Sequence, residues 1–130
     1  MPDEHLDIPL LLNELISLGT ETDWVEFKTS NANPDMIGQR ISALANSACR
    51  RGIPTAYMVW GINDKTHEIV GSTFRYRSKK VGNEELENWL HHQLSENASF
   101  AFMESNIGDK HVTVLAITAA YYHTVDFEKE

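Results

Sequence analysis

The segment Phe74–Lys80 interleaves aromatic and basic residues in the order Phe-Arg-Tyr-Arg-Ser-Lys-Lys. Its four cations are Arg75, Arg77, Lys79 and Lys80. Rings and cations so arranged are typical of a surface that binds single-stranded nucleic acid, because bases stack on rings and cations neutralise phosphates. The same composition also suits a solvated basic loop between a strand and a helix. A few cations of this kind supply modest, salt-sensitive binding rather than tight recognition.

Several other chemistries are excluded or disfavoured by the motifs that are missing. The single cysteine, Cys49, rules out an internal disulfide and leaves too few thiols for a cysteine zinc site. No Gly-x-x-x-x-Gly-Lys motif occurs, so ATP hydrolysis is unsupported. His91 and His92 are adjacent on a predicted helix and diverge by about 100°, so they do not chelate together. No helix-turn-helix or zinc-finger spacing identifies an element that reads bases.

The composition is that of a globular domain with an acidic balance. The chain has 130 residues, 42% of them apolar, and 11 Lys and Arg against 19 Asp and Glu give a net charge of −8. No apolar run approaches the ~20 residues of a membrane span. The first residues, Met1–Leu12, carry acids where a secretory signal needs bases, so we expect a cytoplasmic protein. The acidic balance argues against coating nucleic acid by bulk charge.

Charge is unevenly distributed along the chain. The stretch Met1–Glu26 holds seven acidic residues and no Lys or Arg, whereas Ile69–Asn83 holds four cations and no acid. Such a separation predicts a dipolar surface, with local cationic character in an acidic molecule.

Hydrophobic periodicity and turn residues predict an α+β fold. Three helices are expected, at Leu6–Leu18, from Asn33-Pro34 to about Cys49, and at Asn83–Glu96. Five strands are expected, at Trp24–Lys28, Thr55–Ile62, His67–Val70, Ser99–Ser105 and His111–Ala119. The resulting order, αβαββαββ, favours one mixed β-sheet of about five strands with three helices packed against it.

Recognisable motifs lie in three segments: Glu21–Lys28, Ile41–Ala48 and Ala56–Gly71. Taken together, these segments resemble the Schlafen AlbA-type DNA-binding domain. The shared pattern is Glu26-Phe27-Lys28 on a strand, Ser42–Asn46 in the core of a helix, Gly61–Asp64 after a second strand, and Gly71 at the end of a short return strand. This domain occurs in RecG-like helicase-related proteins, in transcriptional regulators and in the nuclease core of Schlafen proteins. The resemblance is firm from Glu21 to about Phe74 and topological beyond that point.

The resemblance implies a DNA-binding or, more broadly, nucleic-acid-binding domain of a helicase-related protein or transcriptional regulator. The cations of Phe74–Lys80 would contact phosphates, with Lys28 assisting. Arg51-Gly52-Ile53-Pro54 stands where many members have a Gly-Gly pair, and the chain stops at Glu130 where members continue into another strand. We therefore expect one domain over residues 1–130, excised from or shortened relative to a longer protein with a further C-terminal domain.

The resemblance also implies an alternative, a metal-dependent endoribonuclease. Members with nuclease activity hold Mg²⁺ or Mn²⁺ with three acids, which correspond to Glu21, Glu26 and Asp64 as catalytic and metal-binding residues. Glu21 and Glu26 are five positions apart, so they converge only if the chain bends between them. Each also has an ordinary interpretation, as an ion pair, a turn former or a solvated acid. From the residues alone, His67, near Asp64, is a candidate general base or a candidate group that positions a metal ligand without binding the metal itself.

A third interpretation is a protein-interaction or dimerisation module. The acidic surface and a possible unpaired sheet edge suit this role, and they allow a homodimer. The sequence does not choose among DNA, RNA and protein partners.

Overall fold

The computed structural model describes residues 7–18, 22–96 and 98–120, and these form three helices and six strands. The helices are α1 (Ile8–Ser17), α2 (Pro34–Arg51) and α3 (Leu86–Gln93). The strands are β1 (Val25–Lys28), β2 (Thr55–Trp60), β3 (Lys80–Val81), β4 (Glu84–Glu85), β5 (Phe100–Ile107) and β6 (Lys110–Thr118). The predicted α+β class, with helices interleaved between strands, is confirmed.

Four strands form a mixed sheet in the order β1-β2-β6-β5. The strands β1 and β2 are parallel, with Val25 opposite Tyr57, whereas the β2–β6 and β5–β6 pairs are antiparallel. The two-residue strands β3 and β4 pair only with each other. The parallel pair requires a crossover between β1 and β2, and α2 provides it.

The crossover helix α2 begins and ends at the signals that the sequence carries. The side chain of Asn33 accepts a hydrogen bond from the backbone N–H of Met36 at 3.1 Å, and Pro34 takes the first helical position. Gly52 ends the helix in the left-handed conformation, at a φ of 69°. The helix runs two residues past the predicted end at Cys49.

Each face of the main sheet is covered by helices. One core joins α2 and α3 to the sheet through side chains such as Ile41, Leu90 and Trp60. The other joins α1 to the opposite face, where Leu12 packs among residues that include Val59. Burial on both faces explains why the β2 segment is apolar throughout. None of the three helices combines the length and apolar character that a membrane crossing requires.

The segment predicted as a return strand, His67–Val70, makes only an isolated bridge between Ile62 and Ile69. The ladder is short because Gly61, at a φ of 111°, turns the chain, and its carbonyl accepts the N–H groups of both Val70 and Gly71. The predicted strand therefore becomes an irregular connection that returns to the end of β2.

The third helix begins three residues later than predicted. Gly82, at a φ of 63°, and Asn83 form the turn between β3 and β4, so Asn83 is a turn residue rather than a helix cap. The helix starts at Leu86 and ends at Gln93 instead of Glu96. Asparagine favours both turns and helix caps, so the local sequence did not distinguish them.

Candidate nucleic-acid interface

The rings of the basic segment belong to the hydrophobic core. Phe74 and Tyr76 are 5% and 7% exposed. The Phe74 ring lies 4.7 Å from the Trp60 ring, and Tyr76 stacks on Phe102 at 4.9 Å with an interplanar angle of 11°. The prediction that these rings stack on bases is therefore wrong, because packing against the sheet already uses them.

Two of the predicted cations, Arg75 and Lys79, line one open cleft of about 540 Å³, which we call the cationic cleft. Its polar lining includes Ser30, Asn31, Asn33, Arg75, Ser78 and Lys79. No carboxylate belongs to the lining that the described residues form. The cleft therefore presents two positive charges among neutral hydroxyl and amide groups.

Hydrogen bonds between side chains and backbone groups hold this cleft together. The indole N–H of Trp60 donates to the carbonyl of Asn31 at 2.7 Å, and the N–H of Thr73 donates to Ser30 Oγ at 3.1 Å. Arg75 Nη1 donates to the carbonyl of Ser72 at 2.8 Å. The last bond restricts the guanidinium before any ligand arrives, so less conformational entropy is lost on binding.

The other two predicted cations of the segment do not line this cleft. Arg77 Nε lies 3.7 Å from Glu104 Oε1, and its guanidinium carbon lies 5.3 Å from the centroid of the Tyr76 ring. Lys80 is exposed on β3, where it pairs with Glu85 in the ladder. The four cations therefore face at least two environments rather than one continuous patch.

A second cleft, of about 240 Å³, contains two of the three acids that the resemblance implicates. This carboxylate cleft is lined by Thr22, Glu26, Phe27, Lys28, Asp64 and His67. Glu26 and Lys28 extend from β1, and Asp64 and His67 from the turn after β2. Because β1 and β2 are parallel, their carboxyl ends meet at one edge of the sheet, which brings the two acids together.

Glu26 is bound on both sides by cations. Its Oε1 lies 2.6 Å from Arg40 Nε, and its Oε2 lies 3.3 Å from Lys28 Nζ. Glu26 therefore pairs with Lys28 on its own strand and with Arg40 from α2, and Arg40 is a partner that sequence reasoning missed. To bind Glu26, a metal ion would have to compete with the Lys28 ammonium group for the Glu26 carboxylate.

The donor set for a metal is incomplete within the residues that the structure describes. Glu21, the first predicted ligand, lies outside them. Across residues 7–18, 22–96 and 98–120, no three His, Cys, Asp or Glu side chains are grouped as a metal site requires. Of the three acids that the resemblance implies, Glu26 and Asp64 lie among the described residues, and their carboxylate oxygens suit Mg²⁺ or Mn²⁺.

Asn63 shapes the turn that carries Asp64. Its side-chain oxygen accepts hydrogen bonds from the backbone N–H groups of Lys65 and Thr66 at 2.8 and 3.0 Å. The N–H of His67 donates to the carbonyl of Asn63 at 2.8 Å. The predicted turn at Asn63-Asp64 is thus present, and it leaves the Asp64 side chain exposed at the cleft.

A half-buried acid beside the basic segment, Glu104, was not anticipated from sequence. Glu104 Oε2 is buried and makes no hydrogen bond within the described residues, although His111 Nε2 lies 3.3 Å away. Burial raises the pKa of the neighbouring Tyr76 phenol, the positive charge of Arg77 opposes that shift, and the negative charge of Glu104 adds to it. Glu104 therefore competes with any external anion for Arg77.

Comparison with known proteins identifies the family of this chain. A family model described as Schlafen, AlbA_2 matches residues 21–130. The match spans the whole main sheet, α2, α3 and both clefts, and leaves α1 before it. A comparison with curated proteins gives no match. Because the family model covers far more than half of the chain, the protein belongs to the Schlafen AlbA_2 family.

Proposed function

We propose that this domain binds nucleic acid through its sugar–phosphate backbone, and that the cationic cleft is the principal contact surface. The observation that carries the proposal is the position of Arg75 and Lys79 in a single open cleft, to whose lining the described part of the chain contributes no acidic residue. Membership of the Schlafen AlbA_2 family is consistent with this role. The finer role, DNA binding within a helicase-related protein or a transcriptional regulator, is part of the proposal.

Local charge in the cleft outweighs the average charge of the chain at short range. Interactions between exposed charges weaken beyond a Debye length of about 8 Å at physiological salt. A phosphate in the cleft therefore senses Arg75 and Lys79 more strongly than distant acids. The cleft also contains Asn33, which caps α2, and the positive end of that helix dipole favours an anion there.

The burial of the rings indicates that such binding depends little on the nucleotide sequence. Phe74 and Tyr76 are both in the core, and the cleft is lined by groups that suit phosphate and sugar oxygens. Contacts to the backbone position a nucleic acid without reading its bases. We therefore expect little sequence preference and a marked dependence on salt.

The test compares the wild-type chain with a variant that carries Arg75→Ala and Lys79→Ala. Fluorescence anisotropy with short labelled DNA and RNA strands measures affinity at several salt concentrations. We expect the double variant to bind at least about tenfold more weakly, and its salt slope to fall by roughly 0.7 for each lost phosphate contact on a single strand.

Arg51→Ala is the matched control for each cation removed. It deletes the same charge at the opposite end of α2, about 27 Å from the cleft for a helix of 18 residues. Its affinity should stay within about twofold of the wild type, a change of about 0.4 kcal/mol. The single variants Arg75→Ala and Lys79→Ala are measured as well. If Arg51→Ala loses as much affinity as either of them, the assignment of this cleft is overturned.

A second candidate function is a metal-dependent endoribonuclease at the carboxylate cleft. The observation that favours it is the convergence of Glu26 and Asp64 on one cleft, next to Lys28. A bound Mg²⁺ or Mn²⁺ would stabilise charge on a phosphate and activate a water. The candidate requires Glu21 as a third ligand.

Calorimetry with Mn²⁺ and an RNA cleavage assay separate this candidate from simple binding. Asp64→Asn should lower the Mn²⁺ affinity by at least about tenfold and abolish cleavage, because it removes a charged oxygen ligand. The unfolding temperature should change little, since Asp64 is exposed. A wild-type chain that neither binds Mn²⁺ nor cleaves RNA excludes the nuclease.

A further inference from the structure

His67 has a backbone conformation that disfavours a bulky side chain. Its φ is 62°, in the left-handed region. The other positive-φ residues in the described ranges are all glycines, at positions 52, 61, 71, 82 and 108. A side chain in this region costs about 1–2 kcal/mol, which glycine avoids. Strain of this kind is concentrated at ligand sites, so the imidazole is a candidate for function.

The turn fixes where the imidazole lies. The hydrogen bond from the His67 N–H to the Asn63 carbonyl, at 2.8 Å, closes the turn. The imidazole meets the Phe27 ring at 71°, with the ring centroids 5.0 Å apart. Phe27 thereby holds the half-buried imidazole as one wall of the carboxylate cleft.

This part of the cleft can accept an anion despite its acids. Glu26 is paired with both Arg40 and Lys28, so these three side chains retain one net positive charge, which balances the Asp64 carboxylate in the same lining. The His67 imidazole adds an N–H donor to the lining that also contains the Lys28 ammonium group. The lining therefore offers two N–H donors to an oxygen-rich ligand.

The two clefts adjoin each other. Lys28 lines the carboxylate cleft and Ser30 lines the cationic cleft, and only Thr29 separates them in the chain. Two residues span at most about 7 Å, and the chain bends at Thr29 and Ser30, so Lys28 and Ser30 lie close together. A nucleic-acid strand with one phosphate against Arg75 and Lys79 can therefore continue past Lys28.

We propose that His67 is a nucleic-acid contact residue, whose imidazole N–H donates to a phosphate oxygen of the strand as it passes Lys28. This inference rests on the proposed function, because it extends the same binding path from one cleft to the next. It assigns a binding role to a residue that the resemblance leaves without one.

The test uses His67→Gly in the full chain, with the labelled strands described above. Glycine removes the imidazole and also relieves the strain, so the thermal unfolding midpoint should stay the same or rise. Loss of one hydrogen bond to phosphate should weaken binding about three- to tenfold. Thr66→Gly is the matched control, since it places glycine in the same turn at an exposed, uncharged residue that does not line the cleft.

The outcomes separate the inference from the proposed function. Weaker binding by His67→Gly at unchanged stability, with Thr66→Gly close to wild type, supports the contact. If Arg75→Ala with Lys79→Ala weakens binding but His67→Gly does not, the His67 inference fails and the proposed function stands. Equal losses in His67→Gly and Thr66→Gly also overturn it, because they assign the effect to the turn. A wild-type chain that binds neither polymer overturns both proposals.

Discussion

Alternation of side chains within the basic segment divides its residues between two tasks. Phe74 and Tyr76 point into the core, while Arg75 and Arg77 remain exposed. A turn at this point, in which the Ser78 N–H donates to the Arg75 carbonyl at 3.2 Å, separates the two arginines further. The same residues that suggest a stacking platform in the sequence therefore serve as core anchors that hold cations at the surface.

Glu104 limits how far Arg77 contributes to binding, and Glu104→Gln tests this at the scale of one residue. The change keeps the shape of the side chain and removes the negative charge 3.7 Å from Arg77 Nε. We expect oligonucleotide affinity to rise about two- to fivefold at low salt, because an exposed ion pair of this kind contributes at most about 1 kcal/mol. Anisotropy titrations measure the change.

Glu14→Gln is the control for the effect of net charge. It makes the same change in charge on α1, away from both clefts. An equal gain in affinity from both variants would show that overall charge, rather than release of Arg77, determines the effect. A gain confined to Glu104→Gln would add Arg77 to the binding surface.

At the scale of elements, Gly61 links the end of β2 to the candidate sites. Its N–H donates to the Lys28 carbonyl at 2.7 Å, and its φ is 111°. A Cβ at this position would lie 2.9 Å from the carbonyl oxygen of His111. Gly61→Ala therefore combines a backbone strain with a clash, and we expect it to lower the free energy of unfolding by roughly 3 kcal/mol.

Gly82→Ala is the matched control for that substitution. Gly82 also has a positive φ, at 63°, but a Cβ there would meet nothing within 4 Å. The loss should be only about 1 kcal/mol, from the left-handed conformation alone. Urea unfolding measures both, and equal losses would contradict the close approach of Gly61 to β6.

Cap residues and apolar runs in the sequence correctly predicted α2 and β2. Asn33-Pro34 and Gly52 mark the two ends of α2, and the apolar run of β2 predicted a strand buried on both faces. The β3–β4 pair was not predicted, because Asn83 fits a helix cap and a turn equally well. Distinguishing these requires the contacts of the neighbouring strands, which sequence periodicity does not contain.

The candidate sites were predicted less completely from the sequence than these elements were. The resemblance placed Glu26 and Asp64 in one site, and they share a cleft. The partner of Arg77, Glu104, is distant in sequence and reaches it only through the packing of β5. The strain at His67 depends on the hydrogen bonds of the whole turn, so no single residue type indicated it.

At the scale of the whole molecule, the main sheet separates two cores that contribute differently to the candidate sites. The core under α2 and α3 holds Trp60 and Phe74, whose positions shape the cationic cleft. The core under α1 holds Val25 and Phe27, which line the carboxylate cleft. The two clefts therefore depend on different cores, and the carboxylate cleft also depends on α2 through the Glu26–Arg40 pair.

The helix α1 precedes the residues that the family model matches, yet it packs on one face of the sheet. Leu12 is 1% exposed in that core, whereas Leu10 on the same helix is 55% exposed. Leu12→Ala should lower the free energy of unfolding by about 2–5 kcal/mol, the usual cost of a cavity in a packed core. Leu10→Ala should change it by less than about 0.5 kcal/mol, because that side chain is largely in solvent.

Urea unfolding of the two variants, followed by tryptophan fluorescence, measures this difference. Both substitutions remove the same atoms from one helix, so helix propensity contributes equally to each and cancels in the comparison. Similar small losses would show that α1 does not pack on the sheet as a structural element. A loss confined to Leu12→Ala would establish that this helix supports the face of the sheet from which Phe27 holds His67 in place.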